Sequence, residues 1–111
     1  MESILNALIK IIGFFFKRKP VILTIDSFCD TWISLHNISG DSFIVLKIEP
    51  SSHLSRFPID HFVKPETYFR INSISTFVKF KTKKIRIRIK TLDGFKYTYT
   101  IKWNNKTPFL R

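Results

Sequence analysis

The side chains that could carry chemistry are few, and their spacing is the first test of any reaction. They are Cys29, His36, His53, His61, Asp26, Asp30 and Asp60. None of them forms the CxxC, HxH or HExxH spacing of a metal site, and structural zinc normally takes four ligands in close local pairs. We therefore expect neither a metal site nor a cofactor.

Catalysis by a nucleophile or an acid–base pair has little support in the sequence. Cys29 could be drawn with a histidine as a dyad, but a lone cysteine in a strand-rich chain is usually a small core hydrophobe. Asp60 and His61 lie in an irregular segment between two prolines, where functional loops tend to occur. We predict a non-enzymatic protein, and a small enzyme centred on the loop around Asp60 and His61, for example a nuclease that uses His61 or His53 with basic residues, stays an alternative.

Charge is the strongest compositional signal. The chain has 19 Lys and Arg against 8 Asp and Glu, a formal net charge of +11 over 111 residues. Such an excess indicates an anionic partner, for example nucleic acid, an acidic membrane or an acidic protein.

Many of these cations fall in the segment from Lys84 to Trp103, which has the clearest alternation in the chain. Isoleucines at 85, 87 and 89 alternate with cations, and apolar residues at 97, 99 and 101 alternate with Lys and Thr. This pattern predicts two half-buried antiparallel strands.

The turn between these strands decides which residues face each other. A two-residue Asp93-Gly94 loop would mix apolar and charged side chains on both faces. A three-residue loop, Leu92-Asp93-Gly94, with Gly94 at positive φ, keeps the faces separate. It pairs Ile89 with Tyr97, Ile87 with Tyr99 and Ile85 with Ile101, and we predict this register.

The opposite side of the predicted hairpin is basic. It collects Arg86, Arg88, Lys90, Lys96 and Lys102, which we call the basic face. Lys90 would lie directly opposite Lys96, an arrangement that destabilises a sheet modestly. The face is therefore either simply solvated, which discourages pairing at sheet edges, or it binds an anion. Because Tyr97 and Tyr99 turn toward the core, bases would have no stacking platform, which weakens a nucleic-acid interpretation.

Residues 3–16 (SILNALIKIIGFFF) predict an amphipathic helix with a very wide apolar face. Its length of about 21 Å is short of the roughly 30 Å hydrocarbon core of a bilayer. A signal peptide fits poorly because the positive charges follow the apolar run. We expect either an anchor in the plane of the membrane or a helix that packs on its own domain or on a partner protein. The predicted contact residues are Ile9, Ile12, Phe15, Phe16, Lys17, Arg18 and Lys19.

The rest of the chain predicts further short strands. They span residues 21–26, 31–37, 42–49, 67–71 and 75–82, and in the third of them Ile44, Leu46 and Ile48 share one face. Residues 53–65 should form a loop with at most one short edge strand, and the tail from 104 to 111 should be partly frayed.

About seven short strands separated by regular turn signals predict a mainly β fold, an antiparallel immunoglobulin-like sandwich preceded by one helix. We place the helix and its basic flank at residues 1–19 and the sandwich at residues 20–111. The segment LHNISGDSFIVLKIE, the late hairpin and the apolar leading helix together resemble the immunoglobulin-like sandwiches of small uncharacterised microbial proteins. The resemblance spans residues 21–103 and implies a fold and a binding role without a reaction.

We therefore expect a non-enzymatic interaction module, held by its helix on an anionic membrane surface or on a partner protein. Its location would be cytoplasmic, at the periphery of the membrane. Self-association through the helix is a further option. The alternative is a sequence-independent nucleic-acid-binding protein that uses the basic face.

Overall fold

The computed structural model describes residues 22–58, 60–75 and 77–111. The predicted N-terminal helix, its seven contact residues and the boundary between residues 19 and 20 lie outside the described residues. The described chain is mainly β. Its strands are β1 (Leu23–Phe28), β2 (Trp32–Asn37), β3 (Phe43–Glu49), β4 (His61–Val63), β5 (Tyr68–Asn72), β6 (Lys84–Thr91), β7 (Lys96–Asn104) and β8 (Thr107–Leu110).

The strands form two antiparallel sheets. The smaller sheet has the order β1-β2-β5 and the larger has the order β4-β3-β6-β7-β8. The chain passes from the smaller sheet to the larger between β2 and β3, returns between β4 and β5, and crosses again between β5 and β6. The predicted mainly β, antiparallel architecture is confirmed.

Alternating apolar residues of both sheets build one core. Ile33 and Leu35 of the smaller sheet are fully buried, as are Ile85, Ile87 and Ile89 of the larger sheet. These side chains belong to a single apolar cluster. Burying each of them contributes roughly 1.5–3 kcal/mol, so the cluster is the main force that holds the two sheets together.

The predicted register of the β6–β7 hairpin is confirmed. Ile89 faces Tyr97, Ile87 faces Tyr99, and Ile85 faces Ile101. Gly94 has a φ of 94°, and the backbone N–H of Thr91 donates to the carbonyl of Phe95 at 2.8 Å, which closes a three-residue loop. The local rule that apolar faces must coincide therefore determined the pairing.

The prediction that Ile44, Leu46 and Ile48 share one face of β3 is wrong. A register shift between Val45 and Lys47 inserts an extra residue, so Phe43, Val45 and Ile48 point into the core. Leu46 is only half-buried. Because a bulge reverses the alternation of side chains beyond it, no single strand face continues from Ile44 to Ile48.

Two other segments differ from the expectation. Residues 75–82 form no strand in the part of the chain that is described. The hydroxyl of Ser73 instead lies within hydrogen-bond distance of the carbonyls of Ser75 and Val78, and the Val78 N–H donates to the Ser75 carbonyl at 3.1 Å. The C-terminal tail is not frayed, because β8 pairs with β7. The predicted short edge strand between residues 53 and 65 is present as β4.

Asn37 links three segments at one end of the two sheets. Its side chain is fully buried, and its Nδ2 group donates to the carbonyls of Asp41 at 2.9 Å and Lys64 at 3.1 Å. Its Oδ1 atom accepts from the hydroxyl of Ser39 at 2.7 Å and from the backbone N–H of Ser39 at 3.0 Å. The side chain thus joins the end of β2 to the β2–β3 turn and to the β4–β5 loop.

Candidate anion-binding surface

The structure brings the residues of the predicted basic face together on the outer side of the larger sheet. Strands β6 and β7 lie in the interior of that sheet, so their isoleucines point inward and the intervening cations point outward. Arg86, Arg88 and Lys96 are exposed, whereas Lys90 and Lys102 are half-buried.

Two lysine pairs mark the two ends of this hairpin. Lys90 lies opposite Lys96 beside the turn, and Lys84 lies opposite Lys102 at the far end. Like charges placed directly across a sheet are destabilising. The hairpin therefore carries an electrostatic cost that an anionic ligand would relieve.

Glu49 provides a partial countercharge at one edge of the basic face. Its Oε1 atom lies 3.5 Å from Arg88 Nε and 3.5 Å from Lys47 Nζ. The other residues of the basic face form no ion pair with any described residue. Most of the positive charge on this side of the sheet is thus directed into solvent.

A group of exposed apolar side chains lies at the end of the sandwich that carries the β6–β7 turn. Ile38 is 42% exposed, Leu92 is 65% exposed and Phe95 is 51% exposed, and we call these three residues the apolar tip. Leu92 and Phe95 line a shallow hollow of about 420 Å³ together with Ile22, Asp41, Asp93 and other residues. Sequence reasoning missed the apolar tip, although Leu92 and Phe95 flank the Asp-Gly turn.

The N-terminal segment joins the described domain at the same end. Ile22 lines the hollow beside the apolar tip, and its carbonyl accepts a hydrogen bond from the Ile38 N–H at 3.0 Å. Ile22, the first described residue, therefore lies at the same end of the domain as the exposed Leu92 and Phe95. The first lysine pair, Lys90 and Lys96, is also at this end.

The opposite end of the sandwich also exposes apolar side chains. Phe77 is 95% exposed and Ile74 is 57% exposed, both in the loop between β5 and β6. Lys79 in that loop pairs with Asp30, the Nζ–Oδ2 distance being 3.6 Å. This loop is separated from the apolar tip by the length of the strands.

The predicted catalytic candidates are not brought together. His36 stacks on Tyr68 with ring centroids 4.2 Å apart, and its Nε2 atom lies 3.8 Å from a Glu66 carboxylate oxygen. His61 packs against the ring of Phe57 at 5.2 Å, whereas Asp60 is exposed in a turn with a φ of 53°. Across residues 22–58, 60–75 and 77–111, no three His, Cys, Asp or Glu side chains cluster in a way that could hold a metal ion.

Cys29 is exposed rather than part of the core, so the expectation of a core cysteine is wrong. It lies at the turn after β1, where its Sγ atom accepts from the Thr31 N–H at 3.5 Å and lies 3.3 Å from the Thr31 hydroxyl. Desolvation raises the pKa of the Cys29 thiol, but the hydrogen bonds from Thr31 and from the Trp32 backbone lower it, and the net shift of the pKa is downward. The side-chain partner of this thiol is the Thr31 hydroxyl, which is not a base that could deprotonate it.

Aromatic rings lie on the outer sides of both sheets. On the smaller sheet, the guanidinium of Arg70 lies 4.0 Å above the ring of Trp32, and His36 stacks on Tyr68. On the larger sheet, two rings lie beside the basic face: the exposed Phe62 is in the cross-strand row of Lys90, and the half-buried Phe109 is opposite Lys102.

No helix in the described ranges is long and apolar enough to span a bilayer. No protein-family model, curated protein or solved structure matches the chain. Its function therefore has to be inferred from its own surfaces.

Proposed function

We propose that this protein is a non-enzymatic binding module that docks on anionic membrane surfaces and that its sandwich is immunoglobulin-like. The strand order supports the fold assignment. The smaller sheet, β1-β2-β5, corresponds to the A-B-E set of such domains, and β3-β6-β7 corresponds to the C-F-G set. In this correspondence β4 extends the larger sheet beside strand C, and β8 is an addition after strand G.

The anchor in this proposal is the N-terminal amphipathic helix. Its apolar residues Ile9, Ile12, Phe15 and Phe16 would enter the acyl region, while Lys17, Arg18 and Lys19 contact anionic head groups. A single apolar segment gives only moderate affinity, so stable attachment usually needs a second contribution from charge or from another apolar element.

The observation that carries the proposal is the position of Ile22. It places the attachment point of the N-terminal segment beside the apolar tip, with Lys90 and Lys96 at the same end of the domain. The exposed side chains of Leu92 and Phe95 would insert at the level of the head groups. Each lysine or arginine held near an anionic leaflet contributes about 1 kcal/mol, so the basic face supplies the second contribution that the anchor needs.

Two carboxylates lower the positive charge at this end, because Asp41 and Asp93 line the same hollow as Leu92 and Phe95. At this end they equal Lys90 and Lys96 in number. In this proposal the preference for an anionic membrane over a neutral one therefore depends on Lys17, Arg18 and Lys19 of the N-terminal segment.

Co-sedimentation with vesicles tests the proposal. The full chain should sediment with vesicles that contain phosphatidylserine and remain in the supernatant with phosphatidylcholine alone. Changing Phe15 and Phe16 together to serine should abolish sedimentation, and Phe95→Ser should weaken it about tenfold, because each removes apolar area that enters the bilayer.

Phe77→Ser is the control, since it removes an even more exposed phenylalanine, 95% against 51% for Phe95, from the opposite end of the domain. This variant should bind as the unaltered chain does. Equal loss of binding for Phe77→Ser and Phe95→Ser would contradict the proposed orientation. Sedimentation that does not depend on phosphatidylserine would contradict the electrostatic part, and a full chain that binds neither vesicle would favour docking on a partner protein.

A second candidate function, sequence-independent binding of nucleic acid, is favoured by the paired lysines of the basic face. Such a row of cations can follow a phosphate backbone, and Phe62, which is 48% exposed, lies in the same cross-strand row as Lys90 and Lys96, where a base could stack on its ring. Changing Arg86 and Arg88 to glutamate should then abolish binding to duplex DNA, while the serine variants of Phe15 and Phe16 should retain it. Absence of any shift of labelled duplex DNA in low salt would exclude this candidate.

A further inference from the structure

A groove separate from the basic face opens between the two sheets, on the side where their edge strands β4 and β5 lie. It has a volume of about 630 Å³, within the range of small-molecule sites. Its walls are the end of β3, the loop of residues 54–58 and strand β5. These segments are distant in sequence and meet only in the folded chain.

The floor of this groove is apolar. It is formed by Leu46, Ile48, Leu54, Phe57, Phe69 and Ile71. Phe57 packs edge-on against Phe69 with ring centroids 5.9 Å apart, so the loop of residues 54–58 is held against β5 by ring contact. The half-buried Leu46, which is the extra residue of the β3 bulge, also belongs to this floor.

The rim of the groove is cationic. Lys47, Arg56 and Arg70 line it, together with His61, and none of its lining residues is an aspartate or a glutamate. Arg56 and Arg70 are exposed, and Arg70 forms no ion pair with a described residue. Apolar walls with a cationic rim are complementary to a molecule that has an apolar chain and one anionic head.

We propose that this groove binds a single-chain amphipathic anion, of which a fatty acid is the simplest case. The chain lies on the floor between Leu46 and Phe69, and the carboxylate is bound by Arg70 with Arg56 beside it. A bidentate contact between guanidinium and carboxylate suits the planar shape of both groups. An extended peptide fits less well, because the backbone of Ser55 already donates to the Asn72 carbonyl at 3.0 Å and so occupies one end of the β5 edge.

The contact between Arg70 and Trp32 provides a fluorescence signal for ligand binding. Its guanidinium lies 4.0 Å above the ring of Trp32, so a carboxylate that draws Arg70 toward the groove should change the fluorescence of Trp32. The chain has two tryptophans. The change Trp103→Phe therefore leaves Trp32 as the sole reporter.

Titration of the full chain carrying Trp103→Phe with dodecanoate, below its micelle concentration, tests the proposal. Three probes separate head from tail: dodecanoate has both, butyrate has the head alone, and dodecyltrimethylammonium has the tail with the opposite charge. Saturable binding of dodecanoate, with at least tenfold weaker binding of the other two, is expected. Comparable affinity for either of the other probes overturns the proposal.

Variants locate the site. Arg70→Gln abolishes the ion pair with the carboxylate and should weaken dodecanoate binding about tenfold, measured by calorimetry because the change also alters the reporter. Arg86→Gln is the control of equal charge on the other sheet and should leave the affinity unchanged. Equal loss for both variants, or no loss for Arg70→Gln, overturns the assignment.

Amide spectra distinguish this groove from the apolar N-terminal segment. Saturating dodecanoate should shift the resonances of Phe69 and Ile71 in the full chain. Shifts confined to residues 1–21 would overturn the proposal, since they would place the ligand on the N-terminal segment. The proposal does not rest on membrane docking, so vesicle binding and dodecanoate binding can fail independently.

Discussion

Lys90 and Lys96 face each other across β6 and β7 as the last pair before the turn, although both are positively charged. The change Lys96→Glu should convert this repulsion into a cross-strand ion pair. We expect the free energy of unfolding to rise by about 0.5 kcal/mol, because opposite charges stabilise such a pair and like charges destabilise it. Urea unfolding of the full chain measures this gain.

If this end docks on the membrane as proposed, the same change should weaken binding to phosphatidylserine vesicles about tenfold, because one cation is replaced by an anion there. Lys96→Gln removes the repulsion without forming an ion pair. Its free energy of unfolding and its vesicle affinity should therefore lie between those of the unaltered chain and the Lys96→Glu chain. A Lys96→Glu chain that is more stable and still binds as before would show that the pair belongs to a solvated face.

Gly94→Ala tests the turn that determines this register. Gly94 has a φ of 94°, and a Cβ atom added there would have no heavy atom within 4 Å. The cost is therefore conformational, and we expect the free energy of unfolding to fall by about 1 kcal/mol. Gly40→Ala is the control, since Gly40 is equally uncrowded and is not at positive φ. A loss of the same size at Gly40 would refute this explanation.

The hairpin could be predicted because its information is local. Alternation determines which residues face inward, and one glycine at the turn decides the loop length. In β3 the same reasoning failed because residues 43–46 are apolar on both sides, so the pattern does not indicate where the bulge between Val45 and Lys47 lies.

Pro108 led to the prediction of a frayed tail, yet the tail forms β8. A proline lacks the N–H that an inner strand must donate, but it is tolerated on an edge strand, and β8 is at the edge of the larger sheet. The groove could not be predicted at all, because its rim joins Lys47, Arg56 and Arg70 from three separate segments. Only the crossing of the chain between the sheets brings them together.

Asn37→Asp should be strongly destabilising. The buried Nδ2 group donates to two carbonyl oxygens, and an aspartate would place a second acceptor against them without access to water. We expect a loss of about 2–3 kcal/mol in the free energy of unfolding at neutral pH. Asn104→Asp makes the same chemical change at an exposed position and should cost less than about 0.5 kcal/mol. Urea unfolding of both variants checks this, and equal stabilities would contradict the linking role of Asn37.

The pH dependence of stability should reveal the burial of Tyr99. Desolvation raises its pKa to about 12, although a backbone hydrogen bond with Ile22 opposes the shift, and Tyr97 adds to it. The unfolded chain then loses this phenolic proton near pH 10 while the folded chain retains it, so the folded state binds more protons between these two values. The raised pKa of Tyr99 therefore contributes on the order of 2 kcal/mol to the free energy of unfolding. This contribution is fully present below about pH 10 and is lost as the pH rises toward 12.

Unfolding in urea at several pH values between about 9 and 11.5 measures this loss. The informative quantity is the difference in this decline between variants. Tyr99→Phe should lower stability near neutral pH and should flatten the decline at high pH, whereas Tyr68→Phe, at a position that is 56% exposed, should leave the decline unchanged. If Tyr99→Phe declines as steeply as the unaltered chain, the phenol of Tyr99 is not the group responsible, and the contact between β7 and the start of β1 is weaker than its burial indicates.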